Sequence, residues 1–365
     1  MKSTPIPMID PAAEYRSLKS ELDAAVGRVL ASGRYVLGPE GEALERELAA
    51  FTGAAHGVGV NSGTDALHLA LVACGVGPGD EVVVPSFTFF ASAEAVSYTG
   101  ATPVFADVDA ATFNLDVDSL QRSITKKTKA VIAVHLFGQC AALDRISAVC
   151  KENSLVLVED VAQALGADYD GRRAGSWGDF GCFSFYPTKN LAAAGDAGLI
   201  TTSNKQYDET LRMLRHHGSR KTYLHERVGW NSRLDELQAA VLRVKLKHLE
   251  RFNQARRAVA SQYRKKLKSA DIALPVEHGR GAHVYHQFTI RSRRRDALRD
   301  ALARESIAAS IFYPTPLHRQ PAYEAANRQL RLPVSETIAA EVLSLPINAL
   351  LDEASIDRIC SALAR

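Results

Sequence analysis

Short apolar runs recur along the first two hundred residues: HGVGV (56–60), EVVVP (81–85), TPVFAD (102–107), KAVIAVHL (129–136), SLVLVED (154–160) and AGLITT (197–202). They are mostly continuous rather than alternating, as strands are when a parallel sheet is buried on both faces. Glycine and proline punctuate the joins, as in GVGPGD (75–80), and helical patterns fill the intervals. The pattern predicts an α/β large domain with a mainly parallel central sheet covered by helices. From about Ser232 the character changes. Leu234, Leu237, Val241, Val244, Leu249 and Phe252 keep helical spacing, which predicts one long charged helix leading into a smaller C-terminal α/β domain. The expected division is 1–245, with an N-terminal helical segment, and 246–365. There is no internal repeat and no low-complexity linker.

A chain of 365 residues exceeds what one core usually serves, which agrees with two units. Apolar residues at 46% and charged residues at 23% give the balance of a globular enzyme. A net charge of +3 is too small to make nucleic acid or a membrane the main partner. The basic run RSRRRD (291–296) follows the strand-like VYHQFTI without interleaved aromatics and reads as a solvated corner. The five cysteines form no CxxC pair and no His/Cys cluster, so no metal site is expected and a reducing compartment fits best. MKSTPIPMIDPAAEY lacks a signal-peptide core, and no apolar run is long enough to span a bilayer. The expectation is a cytoplasmic protein.

Candidate chemistry begins at FSFYPTKNLAAAGDAG (183–198). Phe183 and Phe185 alternate with Ser184 like the end of a buried strand, Pro187 stops pairing, and small residues follow Lys189. An amine held there is partly desolvated, which lowers its pKa and frees it to attack a carbonyl. From this stretch alone, a reactive lysine and a buried structural lysine are equally open. Four other stretches bear on the choice. In NSGTDALHLAL (61–71), Ser62 and Asp65 have N-cap and N3 spacing, Gly63 permits close backbone approach and Thr64 adds a hydroxyl, so the helix start suits a phosphate. In EDVAQALGA (159–167), Asp160 falls at a strand's carboxyl end with Gln163 following, and Glu159 is the competing carboxylate. In PSFTFFASA (85–93), Phe89 can lie on a ring, while Phe87 and Phe90 read as core. In GWNSRLDELQAA (229–240), Ser232 and Asp235 again have N-cap spacing, and Asn231 either caps the helix or reaches outward to an anion. A phosphate cradle, a strand-end acid, a flat ring partner and a reactive lysine are what pyridoxal phosphate needs.

These motifs, in order with SGRYVLGPEGEALERELA (32–49), GATPVFADVD (100–109) and YPTPLHRQPAY (313–323), resemble the DegT/DnrJ/EryC1/StrS family of sugar aminotransferases. The resemblance runs over nearly the whole chain and implies a fold-type I pyridoxal-phosphate transferase. It implies that Lys189 forms the internal aldimine, Asp160 pairs with the pyridine nitrogen, Gln163 lies by the ring hydroxyl and Phe89 stacks on the ring. Gly63, Thr64, the backbone of Asp65 and Ser184 would hold the phosphate, with Asn231 from the neighbouring subunit, which implies a homodimer with shared active sites. Tyr313 and His318 match a segment near the substrate. SLPINALL (344–351) departs from the family, whose proline usually lies nearer the motif's end. The implied reaction is ping-pong transfer of an amino group from L-glutamate to a nucleotide-linked keto-sugar, with Lys189 as the base. Some members are dehydratases with histidine in place of the lysine, so Lys189 favours transamination. FSFYPTKNL with GWNSRLDELQAA is closer to relatives acting on 3-keto than on 4-keto sugars. A cyclitol or other non-nucleotide keto substrate stays open, as does a regulatory protein, although no helix-turn-helix or basic face is visible.

Overall fold

The structure is a computed structural model that describes residues 4–221 and 223–364. At its centre is a seven-stranded sheet made of β1 (His56–Val60), β2 (Glu81–Pro85), β3 (Thr102–Ala106), β4 (Thr128–Val134), β5 (Val156–Asp160), β6 (Phe180–Ser184) and β7 (Gly198–Thr202). Their order is β1-β7-β6-β5-β4-β2-β3. The pairs β2–β3, β2–β4, β4–β5 and β5–β6 are parallel. Only β7 runs against both its neighbours. The sheet is mainly parallel, as the continuous apolar runs predict.

Alternate residues of each strand feed opposite layers. Val82, Val84, Ile132 and Val158 pack with Ala66, Leu67 and Ala70 of the helix Gly63–Ala73. Val83, Val131, Ala133 and Leu157 pack with Leu120, Ile146 and Val149 on the other face. With apolar surface on both sides, an uninterrupted Val/Ile run is the stable choice for a central strand.

The C-terminal part has its own core. A two-stranded antiparallel ribbon, β8 (Phe288–Arg291) and β9 (Val342–Leu345), contributes Phe288, Ile290, Leu343 and Leu345. Tyr263, Leu302, Ile356 and Ile359 from three helices close over it, and Ile6 joins from the other end of the chain. The predicted long helix is instead two, Glu236–Leu246 and Leu249–Lys266. No glycine or proline marks the break. It redirects the apolar stripe: Val241 and Val244 pack on Leu18, Leu22 and Val29, whereas Val259, Ala260 and Tyr263 turn into the C-terminal core. The cap also differs from expectation. Asp235, not Ser232, is the N-cap and accepts the Gln238 N–H at 2.8 Å. Ser232 serves another purpose, described below. Among the described residues no helix is long and apolar enough to cross a membrane.

Candidate active site

Where β5 and β6 end, two helices begin, Gly63–Ala73 and Ala91–Tyr98. β5 closes with two carboxylates that the strand period sends to opposite faces. Glu159 is fully buried and saturated: it accepts N–H groups from Gly175 at 2.8 Å, Trp177 at 2.7 Å and Gly178 at 2.8 Å. His135 Nε2 lies 3.0 Å from it, and the Ala141 N–H donates to His135 Nδ1 at 3.2 Å, so Nε2 carries the proton toward Glu159. Glu159 is a structural anion holding the 175–178 turn. Asp160 is the opposite case. It is 6% exposed, and among the described residues its carboxylate accepts from only Ser92 Oγ at 2.9 Å and the Ala162 N–H at 3.1 Å. Burial pushes its carboxyl above the ordinary value, against those donors and the nearby charge of Lys189. A cation placed on its free lone pairs would be strongly favoured.

Lys189 lies in the turn that follows β6, its N–H donating to the Tyr186 carbonyl at 2.9 Å. The next residue anchors the turn, since Asn190 Nδ2 donates to Asn253 Oδ1 and to the Val284 carbonyl, each at 2.9 Å. The lysine side chain is half-buried, and among the described residues none hydrogen-bonds or ion-pairs with its amine. Burial lowers its pKa to about 8, while the charge of Asp160 pulls the other way. It is therefore neutral far more often than a surface lysine.

The helix start behaves as its spacing predicts. Ser62 is the N-cap and its side chain accepts the Asp65 N–H at 3.0 Å. The N–H groups of Gly63 and Thr64 have no intrahelical acceptor, and Gly63 lies against Ser184. A Cβ on Gly63 would meet Ser184 Cβ at 2.6 Å, so only glycine allows this approach. The Asp65 carboxylate is taken: Ser232 Oγ donates to it at 2.6 Å while accepting the Asn61 N–H at 3.2 Å. Ser232 thus pins the cradle to the chain before Asp235, which is why it does not cap. The cradle is a helix N-terminus with unused donors, suited to a phosphate.

Gln163 bridges two elements, accepting the Phe137 N–H at 2.8 Å and donating to the Tyr313 hydroxyl at 3.0 Å. Burial raises the Tyr313 pKa, so it stays protonated. Phe89 is 57% exposed and its ring centre lies 6.1 Å from that of Tyr313. Phe87 is buried in the core and Phe90 packs on Tyr323, as expected of both. His318 offers no free nitrogen: Nδ1 lies 2.6 Å from Ser86 Oγ and Nε2 2.9 Å from Glu336. It ties the 313–320 segment to the chain just past β2 rather than facing the site. Asn231 does not cap a helix. It is exposed, and among the described residues only its backbone pairs, with His216. Sequence reasoning missed Ser92 and Asn190, the residues that fix Asp160 and the lysine turn, because a lone small polar residue carries no periodic signal.

A frequently neutral amine within electrostatic reach of a buried acid, on the turn after the strand whose Ser184 meets a helix end open to anions, is equipment for capturing a phosphorylated carbonyl compound on lysine. That places the protein among enzymes of lysine–carbonyl chemistry built on an open α/β sheet. The chain belongs to the DegT/DnrJ/EryC1/StrS aminotransferase family, whose model matches residues 16–364. It is 47% identical over 364 residues to the UDP-N-acetyl-3-dehydro-alpha-D-glucosamine 3-aminotransferase of Acidithiobacillus ferrooxidans, covering 100% of this chain and 98% of that one. The crystal structure of S. venezuelae DesV in complex with a ketimine intermediate superposes with a TM-score of 0.97 at 46% identity, covering 99% and 98% of the two chains. NtdA from Bacillus subtilis with bound cofactor PMP gives 0.93 at 27% identity, covering 100% of this chain and 85% of that one.

Proposed function

We propose that this protein is a pyridoxal-phosphate-dependent aminotransferase that moves an amino group from L-glutamate to C3 of a nucleotide-linked keto-sugar, for amino-sugar biosynthesis. The observation that carries this reading is the Lys189 amine, without a hydrogen-bond or ionic partner among the described residues, its pKa lowered to about 8, within electrostatic reach of the buried acid Asp160. The C3 assignment is supported by full-length similarity to the A. ferrooxidans enzyme.

The residues fit the cofactor. Gly63 keeps the cradle open beside Ser184, and Asp160 has carboxylate lone pairs without donors in a dry setting. When bound, the cofactor supplies an aldehyde for an amine and a ring that takes up electrons on proton removal. Asp160 places a fixed negative charge where a protonated ring nitrogen would lie. Phe89 would cover a ring face, and Gln163, fixed by Phe137 and Tyr313, would stand at the ring's edge. Gly63, Thr64 and Ser184 would supply phosphate donors, and the Asp65 N–H could join them only by sharing its hydrogen bond to Ser62 Oγ. Lys189 Nζ would hold the cofactor's aldehyde as nucleophile and would be the base for the α-proton. Tyr313 lines the substrate side, and His318 holds its segment in place. Asn231, exposed and without a side-chain partner among the described residues, is assigned to the phosphate of a second copy, giving a homodimer with shared sites. The division 1–245 and 246–365 is supported by the separate C-terminal core.

The test is a panel of UDP- and dTDP-linked keto-sugars incubated with cofactor-loaded protein and L-glutamate, read by mass spectrometry. The reading expects 3-amino sugar and 2-oxoglutarate in equal amounts. Formation of 2-oxoglutarate with no nucleotide sugar accepted would overturn the substrate class alone. Failure of both would overturn the activity.

A further inference from the structure

Ser92 stands on the first turn of the helix Ala91–Tyr98 and is 1% exposed. Its hydroxyl lies 2.9 Å from Asp160 Oδ2 and 3.4 Å from Thr88 Oγ1. A carboxylate only accepts, so the single Ser92 proton points to Asp160, and the weaker contact runs from Thr88 to Ser92. Meanwhile the Ser92 N–H donates to the Phe89 carbonyl at 3.2 Å. The other donor to Asp160 is the Ala162 N–H, two residues along the same chain, which moves with the acid. Ser92 is thus the side-chain contact that ties the Asp160 carboxylate to the helix Ala91–Tyr98, and the turn leading into that helix, held by the Ser92 N–H, carries the exposed ring of Phe89.

We propose that Ser92 is a positioning residue: it keeps Asp160, at the edge of the bound ring, in register with Phe89, at its face. The proposal rests on Asp160 being the acid that meets the ring nitrogen. Its electrostatic consequence follows from the same hydrogen bond. Without Ser92, the carboxylate loses one of two donors to its charged form in a dry site, and a proton shared with the ring nitrogen shifts toward the carboxyl. A ring left unprotonated is a poorer electron acceptor. A serine that only fills space between helix and sheet would affect neither property.

The experiment compares holoprotein of Ser92→Ala, Ser92→Cys and Ser92→Thr, with Asp160→Asn as reference. Loss of one hydrogen bond to a charged group predicts a fall in kcat of roughly tenfold to a hundredfold for Ser92→Ala. KM for glutamate should stay near the wild-type value, and the pH at which the visible cofactor band titrates should move. Ser92→Cys, close in volume but a weak donor, should behave like alanine and serves if the alanine variant does not fold. Ser92→Thr should restore the wild-type titration. If the alanine and cysteine variants keep the wild-type titration and kcat while Asp160→Asn is crippled, the proposal is overturned. A lower melting temperature with an unmoved titration would overturn it too. Wild-type turnover in Asp160→Asn would instead remove the reading on which it rests.

Discussion

The acidity of Lys189 translates into a rate. At pH 7 a pKa of about 8 leaves about 9% of the amine neutral, against about 0.03% for a lysine at the ordinary 10.5, a gain of about 300-fold. Only the neutral amine attacks a carbonyl, so capture of pyridoxal phosphate by the apoprotein should follow that fraction. Stopped-flow mixing from pH 6.5 to 10, followed at the visible band, should give a rate that climbs about tenfold per pH unit, bends near pH 8 and then levels. Burial sets the bend, and the Asp160 charge opposes it. Asp160→Asn should therefore move the bend to lower pH. A rate still climbing tenfold per unit beyond pH 9, or a bend displaced upward in Asp160→Asn, would refute the reasoning.

Asp160→Asn should lower turnover by orders of magnitude with modest loss of cofactor affinity, as steady-state kinetics and dialysis would show; near-native turnover would mean that another group serves the ring nitrogen. Glu45→Gln breaks a buried pairing with Arg212 and Arg215 and should cost about 3–5 kcal/mol in urea unfolding. Burial pushes the Glu45 carboxyl up, but the two guanidinium groups outweigh it and hold its pKa below the ordinary 4.5. Its stabilisation is thus complete above that value and is lost as pH falls through the depressed one, a pH dependence that the Gln variant should lack. Asn231→Ala should weaken cofactor retention by roughly tenfold to a hundredfold through loss of one contact to phosphate. Mixed with Lys189→Ala it should regain activity, since one site of a shared dimer then carries neither lesion; no recovery despite proven subunit exchange would place Asn231 elsewhere.

The sheet was legible because burial on both faces writes itself as uninterrupted valine and isoleucine, and β1 and β2 begin and end where their apolar runs do. The Ser62 cap was legible because capping is local. Other features depend on contacts far along the chain. Glu159 and Asp160 are adjacent acids on one strand, and what separates them is the distant 175–178 turn that saturates Glu159. Ser232 has cap spacing, yet the carboxylate of Asp65, 167 residues away, takes its hydroxyl, and the helix starts later at Asp235. The break after Leu246 has no breaker residue, because the need to serve two cores imposes it. Lys189 fell between these cases: its flanks announced burial, but the lack of an ionic partner among the described residues is a property of the fold.

Borohydride reduction of the cofactor-loaded protein, followed by protease digestion and mass mapping, reaches the central claim most directly. One reduced adduct is expected, on the peptide carrying Lys189, and it should vanish in Lys189→Ala. An adduct on another lysine, or one that persists in Lys189→Ala, would contradict the assignment of Lys189 as the residue that holds the cofactor.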